Sequence, residues 1–172
     1  MNRRTFLATG TVSLAGALPG CSGVLGQGGS QEPLTLESVA VGPSPGGEVS
    51  VHPDGTVALL DFFATWCAPC KPQMSTLRTV RETFDPESLY MLSITQETDT
   101  DAVKQFWEEY DGTWPVVKDP ALAATSRWNA NSYPTNLVFD ADGTPATGES
   151  PSVRARTFQE FESIVDPLVA EA

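Results

Sequence analysis

Histidine is almost missing from this chain, lysine is scarce and cysteine is rare, and each shortage closes off a class of chemistry. The 172 residues hold one histidine, His52, and three cysteines, Cys21, Cys67 and Cys70. A structural zinc site needs four nitrogen or sulfur ligands, and beyond the Cys67/Cys70 pair the sequence offers only a histidine in a turn and a cysteine near the N-terminus, so no metal site is expected. Three cysteines are also too few to staple a miniature disulfide fold. Ten basic residues stand against 22 acidic ones, a formal net charge of -12, and the only lysines are Lys71, Lys104 and Lys118. Without clustered Lys and Arg the chain is not expected to bind nucleic acid or an anionic lipid surface directly. No run of 18 apolar residues occurs, which argues against a membrane-spanning helix. What is present, 40% hydrophobic residues over this length, suits one compact domain with a terminal appendage.

The appendage reads as an address. Arg3-Arg4 leads into a weakly apolar stretch from Phe6 to Gly20, the layout of a signal peptide. The paired arginines ahead of Phe6-Leu7 resemble a twin-arginine export signal, and Leu18-Pro19-Gly20-Cys21 resembles a lipobox, in which Cys21 becomes the lipid anchor of the mature protein. Pro19 departs from the small or aliphatic residue usual at its place. Cleavage before Cys21 removes two arginines and no acid, taking the formal charge from -12 to -14. Acidity of that degree with so little lysine resembles the composition of proteins from salt-loving organisms, where carboxylates hydrate the surface, the alternative being an ordinary acidic protein. The Gly/Ser-rich Ser22 to Ser30 would be a flexible tether. The expected division is a signal peptide over 1–20, a tether over 21–33 and a folded domain over 34–172.

Within the domain, Leu34 to Val41 and Glu48 to Val51 read as short strands around the turn-forming Gly42 to Gly47. Val57 to Ala64 is a near-continuous apolar run, as for a central strand covered on both faces, interrupted by Asp61. Helical spacing of Met74, Leu77, Val80 and Phe84 predicts a helix from Pro69, stopped by Pro86. A strand over Leu89 to Thr95, a helix over Thr100 to Tyr110 with capping candidates Asp99 and Thr100, a short strand over Trp114 to Val117 and a short helix over Leu122 to Trp128 follow. Thr135 to Asp140 is a strand, Asp140 to Gly143 a hairpin turn before a further strand, and Phe158, Phe161, Ile164, Val165 and Leu168 mark a closing helix. This alternation implies an α/β fold, a mixed sheet with helices on both faces.

Chemistry concentrates in Trp66-Cys67-Ala68-Pro69-Cys70-Lys71, between a buried strand and a helix. A cysteine at a helix N-terminus meets unpaired N–H groups and the positive end of the helix dipole, which favour its thiolate; Cys67 is therefore the candidate nucleophile and Cys70 the resolving thiol. Covalent haem attachment would need a histidine where Lys71 stands. A copper-delivery module would need three residues between the cysteines and a downstream histidine. A peroxidase would need a Thr and Arg arranged around a lone cysteine. A passive structural disulfide in a binding module stays open, although so short a ring constrains the unfolded chain little. His52, in a Pro/Asp/Gly turn, and Lys71, in the first helical turn, are expected at the surface.

Asp61 through Cys70 resembles the active-site segment of thioredoxin-fold proteins, and the extra N-terminal strands with Ala64-Thr65-Trp66-Cys67-Ala68-Pro69-Cys70 look most like the TlpA/ResA/CcmG branch of membrane-tethered thiol-disulfide oxidoreductases. Tyr133-Pro134-Thr135 is similar to that family's cis-proline loop, and Phe139 to Gly143 to its following hairpin. The resemblance covers about Leu34 to Ala170. It implies a thioredoxin-like fold with extra N-terminal strands, a cis Pro134 beside the cysteine pair, and a substrate surface built from Trp66, Tyr133, Pro134 and Thr135, with Trp66 packed beside the disulfide and shielding one side of it. Asp61 matches the buried acid of thioredoxin itself, which would take the proton of Cys70, and Glu97 falls where ResA-like proteins place a glutamate near the site.

The function so implied is disulfide exchange outside the cytoplasmic membrane by a lipid-anchored, monomeric protein, with the Cys67–Cys70 disulfide carrying the electrons and no separate cofactor. The reducing direction is favoured, toward disulfides of exported proteins and apocytochrome cysteines in particular, with a CcdA-like membrane partner as electron donor. The alternatives are an oxidant that installs disulfides in exported proteins and a binding module whose disulfide is only structural.

Overall fold

In the computed structural model, which describes residues 33–172, seven strands form one mixed sheet in the order β2-β1-β5-β4-β3-β6-β7. The chain runs β1 (Thr35–Ser38), β2 (Gly47–Ser50), β3 (Ala58–Phe63), α1 (Cys70–Thr83), β4 (Tyr90–Thr95), α2 (Thr100–Glu109), β5 (Val116–Lys118), α3 (Ala123–Arg127), β6 (Thr135–Phe139), β7 (Ser152–Val153) and α4 (Phe158–Glu171). The expected signal peptide, tether and Cys21 lie outside the described residues. Among those described, no helix is long and apolar enough to cross a membrane.

Every residue of β3 is buried, as its apolar run requires. It pairs in parallel with β4 and antiparallel with β6. The extra strands attach elsewhere: β1 and β2 form a hairpin whose β1 edge pairs antiparallel with β5. Alternation along β3 sends Leu59, Asp61 and Phe63 to one face and Ala58, Leu60 and Phe62 to the other. The first face buries Met74, Leu77 and Val80 of α1, Phe106 and Trp107 of α2, and Phe161 and Val165 of α4. The opposite face is closed more thinly, by Ala124 of α3 with Ala130, Trp128, Leu34, Leu36 and Val49. Helices thus lie on both faces, three on one and a single five-residue helix on the other.

Helix boundaries follow local chemistry. α1 is closed by its own Arg81, whose guanidinium donates to the carbonyls of Phe84 and Leu89. Asp99 caps α2 by accepting from the amides of Asp101 and Ala102, and Thr157 with Glu160 forms a capping box on α4. One expectation gains its bounds and one needs correction. The strand after the Asp140–Gly143 turn is only two residues long and lies well beyond it, because Pro145 makes one isolated bridge to Phe139 before the chain leaves the sheet. His52 is half-buried, its ring stacked on Phe139 at 5.1 Å with Nε2 3.3 Å from the Thr56 carbonyl oxygen, so it packs under the hairpin instead of facing solvent.

Candidate functional site: a disulfide at the end of the central strand

Just beyond β3 the chain turns into α1, and Cys67 and Cys70 are joined across that turn by a disulfide, with S–S 2.01 Å and Cα–Cα 5.3 Å. Helix α1 starts at Cys70 with Pro69 as its N-cap, so Cys67 stands three residues ahead of the helix and not in its first turn. The helix end reaches it nonetheless: the Cys70 amide, first of the helix, lies 3.2 Å from Cys67 Sγ. That N–H is shared with the Cys67 carbonyl oxygen, also at 3.2 Å, and at the positive end of the helix it can still favour negative charge on the Cys67 sulfur once the disulfide opens. Both cysteines are buried, at 4% and 3% exposure.

Access is asymmetric. A groove of about 270 Å³ beside the disulfide is lined by Trp66, Cys67, Ala68, Pro69, Asn131, Ser132 and Tyr133, and not by Cys70. The Tyr133-Pro134 peptide bond is cis, and Thr135 closes this loop by donating to the Ser132 carbonyl at 2.7 Å. Trp66 is 73% exposed, with its ring edge-on to Tyr133 at a centroid distance of 5.9 Å. The indole therefore forms a wall of the groove that Cys67 also lines and is not a core aromatic. Lys71 is exposed, with its ammonium 5.8 Å from the centre of the Tyr110 ring.

Glu97, 30 residues from Cys67 in sequence, is brought beside the active-site segment: its Oε1 accepts from Thr65 Oγ1 at 2.6 Å and from the Thr65 amide at 3.3 Å. The glutamate thereby anchors the turn two residues ahead of Cys67. Asp61 is buried on the face of β3 that carries α1. Burial pushes its carboxyl up to about 7, against the opposing pull of a hydrogen bond from Ser93 and the positive charge of Arg156. A carboxyl in that range can both take and give a proton near neutrality. Tyr133 is likewise held above the usual phenol range by burial and by the charges of Asp119 and Glu97.

Several residues of this site escape the sequence reading. Ser93 Oγ donates to Asp61 Oδ2 at 2.9 Å and accepts from Trp114 Nε1 at 2.8 Å. Gln73, one turn after Cys70, donates to Asn136 Oδ1 at 2.9 Å, and Asn136 is the cross-strand partner of Asp61. The available signal is a polar residue inside an apolar strand, Ser93 in β4 and Asn136 in β6, which requires a partner when buried.

A mixed sheet with a disulfide just beyond its central strand, and a proline loop beside the adjoining groove, defines a thioredoxin-like protein. The sequence matches the Redoxin family over residues 36–162, and the chain belongs to that family. It is similar to a thiol-disulfide oxidoreductase ResA of Bacillus cereus, 26% identical over 89 residues, covering 52% of this chain and 51% of that protein. It is also similar to thioredoxin-like protein YneN of Bacillus subtilis (strain 168), 31% identical over 91 residues, covering 52% and 53%. The chain spans about half the length of the curated relatives it matches. In fold it is similar to a secreted Mycobacterium tuberculosis disulfide oxidoreductase homologous to E. coli DsbE, with TM-score 0.64 and 21% identity over 79% of this chain and 96% of that one.

Proposed function

We propose that this protein is a thiol-disulfide oxidoreductase, held at the extracytoplasmic face of the membrane through Cys21, that reduces disulfides of exported proteins. The observation that carries the exchange chemistry is the asymmetry of the pair: Cys67 lines the groove, Cys70 does not, and the first amide of α1 lies within hydrogen-bond reach of the Cys67 sulfur. The similarity to ResA and YneN supports the same reading.

In the reduced protein the Cys67 thiolate attacks one sulfur of a substrate disulfide lying in the groove. A mixed disulfide forms and the other substrate sulfur leaves as a thiolate, which takes a proton. Asp61 accepts the Cys70 proton, and the Cys70 thiolate attacks Cys67 Sγ. The intramolecular disulfide closes, the second substrate sulfur is released, and two electrons have passed to the substrate. Trp66 and Tyr133 wall the groove and, with Pro134 and Thr135 of the adjoining loop, hold an extended segment on either side of the substrate cysteine. A membrane dithiol donor of the CcdA type would return the two electrons, and apocytochrome cysteines are one substrate class of suitable chemistry.

The test is the reduction potential of the Cys67–Cys70 couple, read by tryptophan emission across a thiol/disulfide buffer series. A value near about -270 mV supports a reductase, whereas one near about -120 mV makes the protein an oxidant. Failure of the mature protein to accelerate insulin reduction by dithiothreitol, with Cys67→Ser no different, would leave only a binding module with an inert disulfide.

A further inference from the structure

We propose that Ser93, locked by Trp114, is a positioning residue for proton transfer in this exchange: it assigns the working proton of Asp61 to Oδ1 by occupying Oδ2. The inference rests on Asp61 being the base for Cys70.

Donor and acceptor roles within a buried chain fix the direction. An indole N–H can only donate, and a serine hydroxyl has one proton to give. Trp114 Nε1 donates to Ser93 Oγ at 2.8 Å, so the hydroxyl is engaged as an acceptor on that side and its own proton is directed to Asp61 Oδ2, 2.9 Å away. Ser93 and Trp114 are 0% and 1% exposed, so water does not compete for either group. The indole is itself fixed, packed edge-on against Trp107 at 5.2 Å, while Trp107 Nε1 donates to the Trp114 carbonyl oxygen at 3.2 Å. Trp114 fills one of the two acceptor sites of the hydroxyl, and Asp61 Oδ2 is the acceptor that its one proton meets in this buried setting, so the serine donates to the carboxylate. It therefore favours the carboxylate, opposing the burial that favours the acid, and leaves Oδ1 as the oxygen that takes up and releases the proton.

The other groups on this face do not duplicate that role. From β6 the cross-strand neighbour is Asn136, whose Oδ1 accepts from Gln73 and whose buried Nδ2 makes no hydrogen bond, to Asp61 or to any other described residue. From α1 the buried face brings Gln73 and the titratable Cys70, while Lys71 lies over Tyr110, Arg78 pairs with Asp111, and Arg81 bonds the carbonyls of Phe84 and Leu89. The α2 side presents Phe106 and Trp107, and α4 presents Phe161 and Val165. The formal charge acting on Asp61 comes from Arg156, ahead of α4, and it too favours the carboxylate.

The experiment is a single turnover of the reduced mature protein with a chromogenic aromatic disulfide, from about pH 5 to about pH 10, in which release of the second thiolate reports the attack by Cys70. The carboxyl carbon resonance of Asp61 is titrated in parallel. In Ser93→Ala the Asp61 inflection is expected to move upward by about one unit, a tenfold change in proton affinity, and Ser93→Thr should restore it. Ser93→Cys, a weaker donor of similar size, should give an intermediate shift and serves if the alanine variant does not fold. A merely structural serine would lower stability in these variants and leave the inflection where it was. That result, with Asp61→Asn abolishing the inflection, overturns the role of Ser93 while leaving Asp61 as the base. An inflection in the turnover rate that survives Asp61→Asn overturns both.

Discussion

Asp61→Asn should change stability in a manner that depends on pH, increasingly in favour of the variant as pH rises. The buried carboxyl titrates at about 7 in the folded protein against 3.8 ordinarily, a difference of about three units. Well below pH 3.8 it is protonated in both folded and unfolded chains and contributes no penalty. As pH rises through 3.8 the unfolded chain releases this proton while the folded protein retains it, so stability falls until the folded carboxyl also ionises near 7, and is level beyond. At about 1.36 kcal/mol per unit the loss is on the order of 4 kcal/mol. Asparagine has nearly the same shape and no charge to bury, so whatever its amide costs is the same at every pH. The assay is urea unfolding of the oxidised wild-type and Asp61→Asn proteins at several values between about pH 4 and about pH 8. The stability difference should shift in favour of the asparagine variant by a few kcal/mol across that interval and then stop changing. A difference that is flat with pH would show that Asp61 ionises normally when folded, and the reasoning from burial would fail.

Gly112→Ala should destabilise the fold without touching the disulfide, because a β-carbon there would lie 2.2 Å from Cε2 of the buried Trp107; a loss of about 1–3 kcal/mol or more is expected for overpacking, and an unchanged urea midpoint would refute it. Trp66→Ala should leave stability nearly unchanged, since the indole is 73% exposed, but should raise KM for a protein disulfide by roughly two- to tenfold, the worth of one aromatic contact. An unaltered KM would remove Trp66 from the substrate surface.

Local chemistry explains why so much of this site is legible along the chain. The apolar run of β3, the Cys-x-x-Cys turn and the helical spacing of Met74, Leu77 and Val80 each need only neighbouring residues to be read, because strand and helix periods place side chains by sequence distance alone. The same holds for the cap at Asp99 and the capping box of Thr157 and Glu160. His52 defeats this kind of reading, since a Pro/Asp/Gly turn says nothing about an aromatic ring from a hairpin more than eighty residues away. The extent of the second strand of that hairpin, Ser152–Val153, is illegible for a related reason: it is set by pairing with Asn136 and Leu137, which the turn residues do not specify.

By itself, then, the sequence determined the elements, the redox pair and the placing of that pair at the strand-to-helix turn. Tertiary structure alone decided the environment of the pair. The β3–β4 register sets Asp61 beside Ser93, a pairing across 32 residues that no local pattern encodes, and the fold brings the Trp114 indole N–H onto the same hydroxyl. The approach of Glu97 to Thr65 and the opening of the groove onto Cys67 but not Cys70 arise in the same way. Backbone periodicity is a property of adjacent residues, whereas burial, proton affinity and access depend on distances between segments that meet only when the sheet closes.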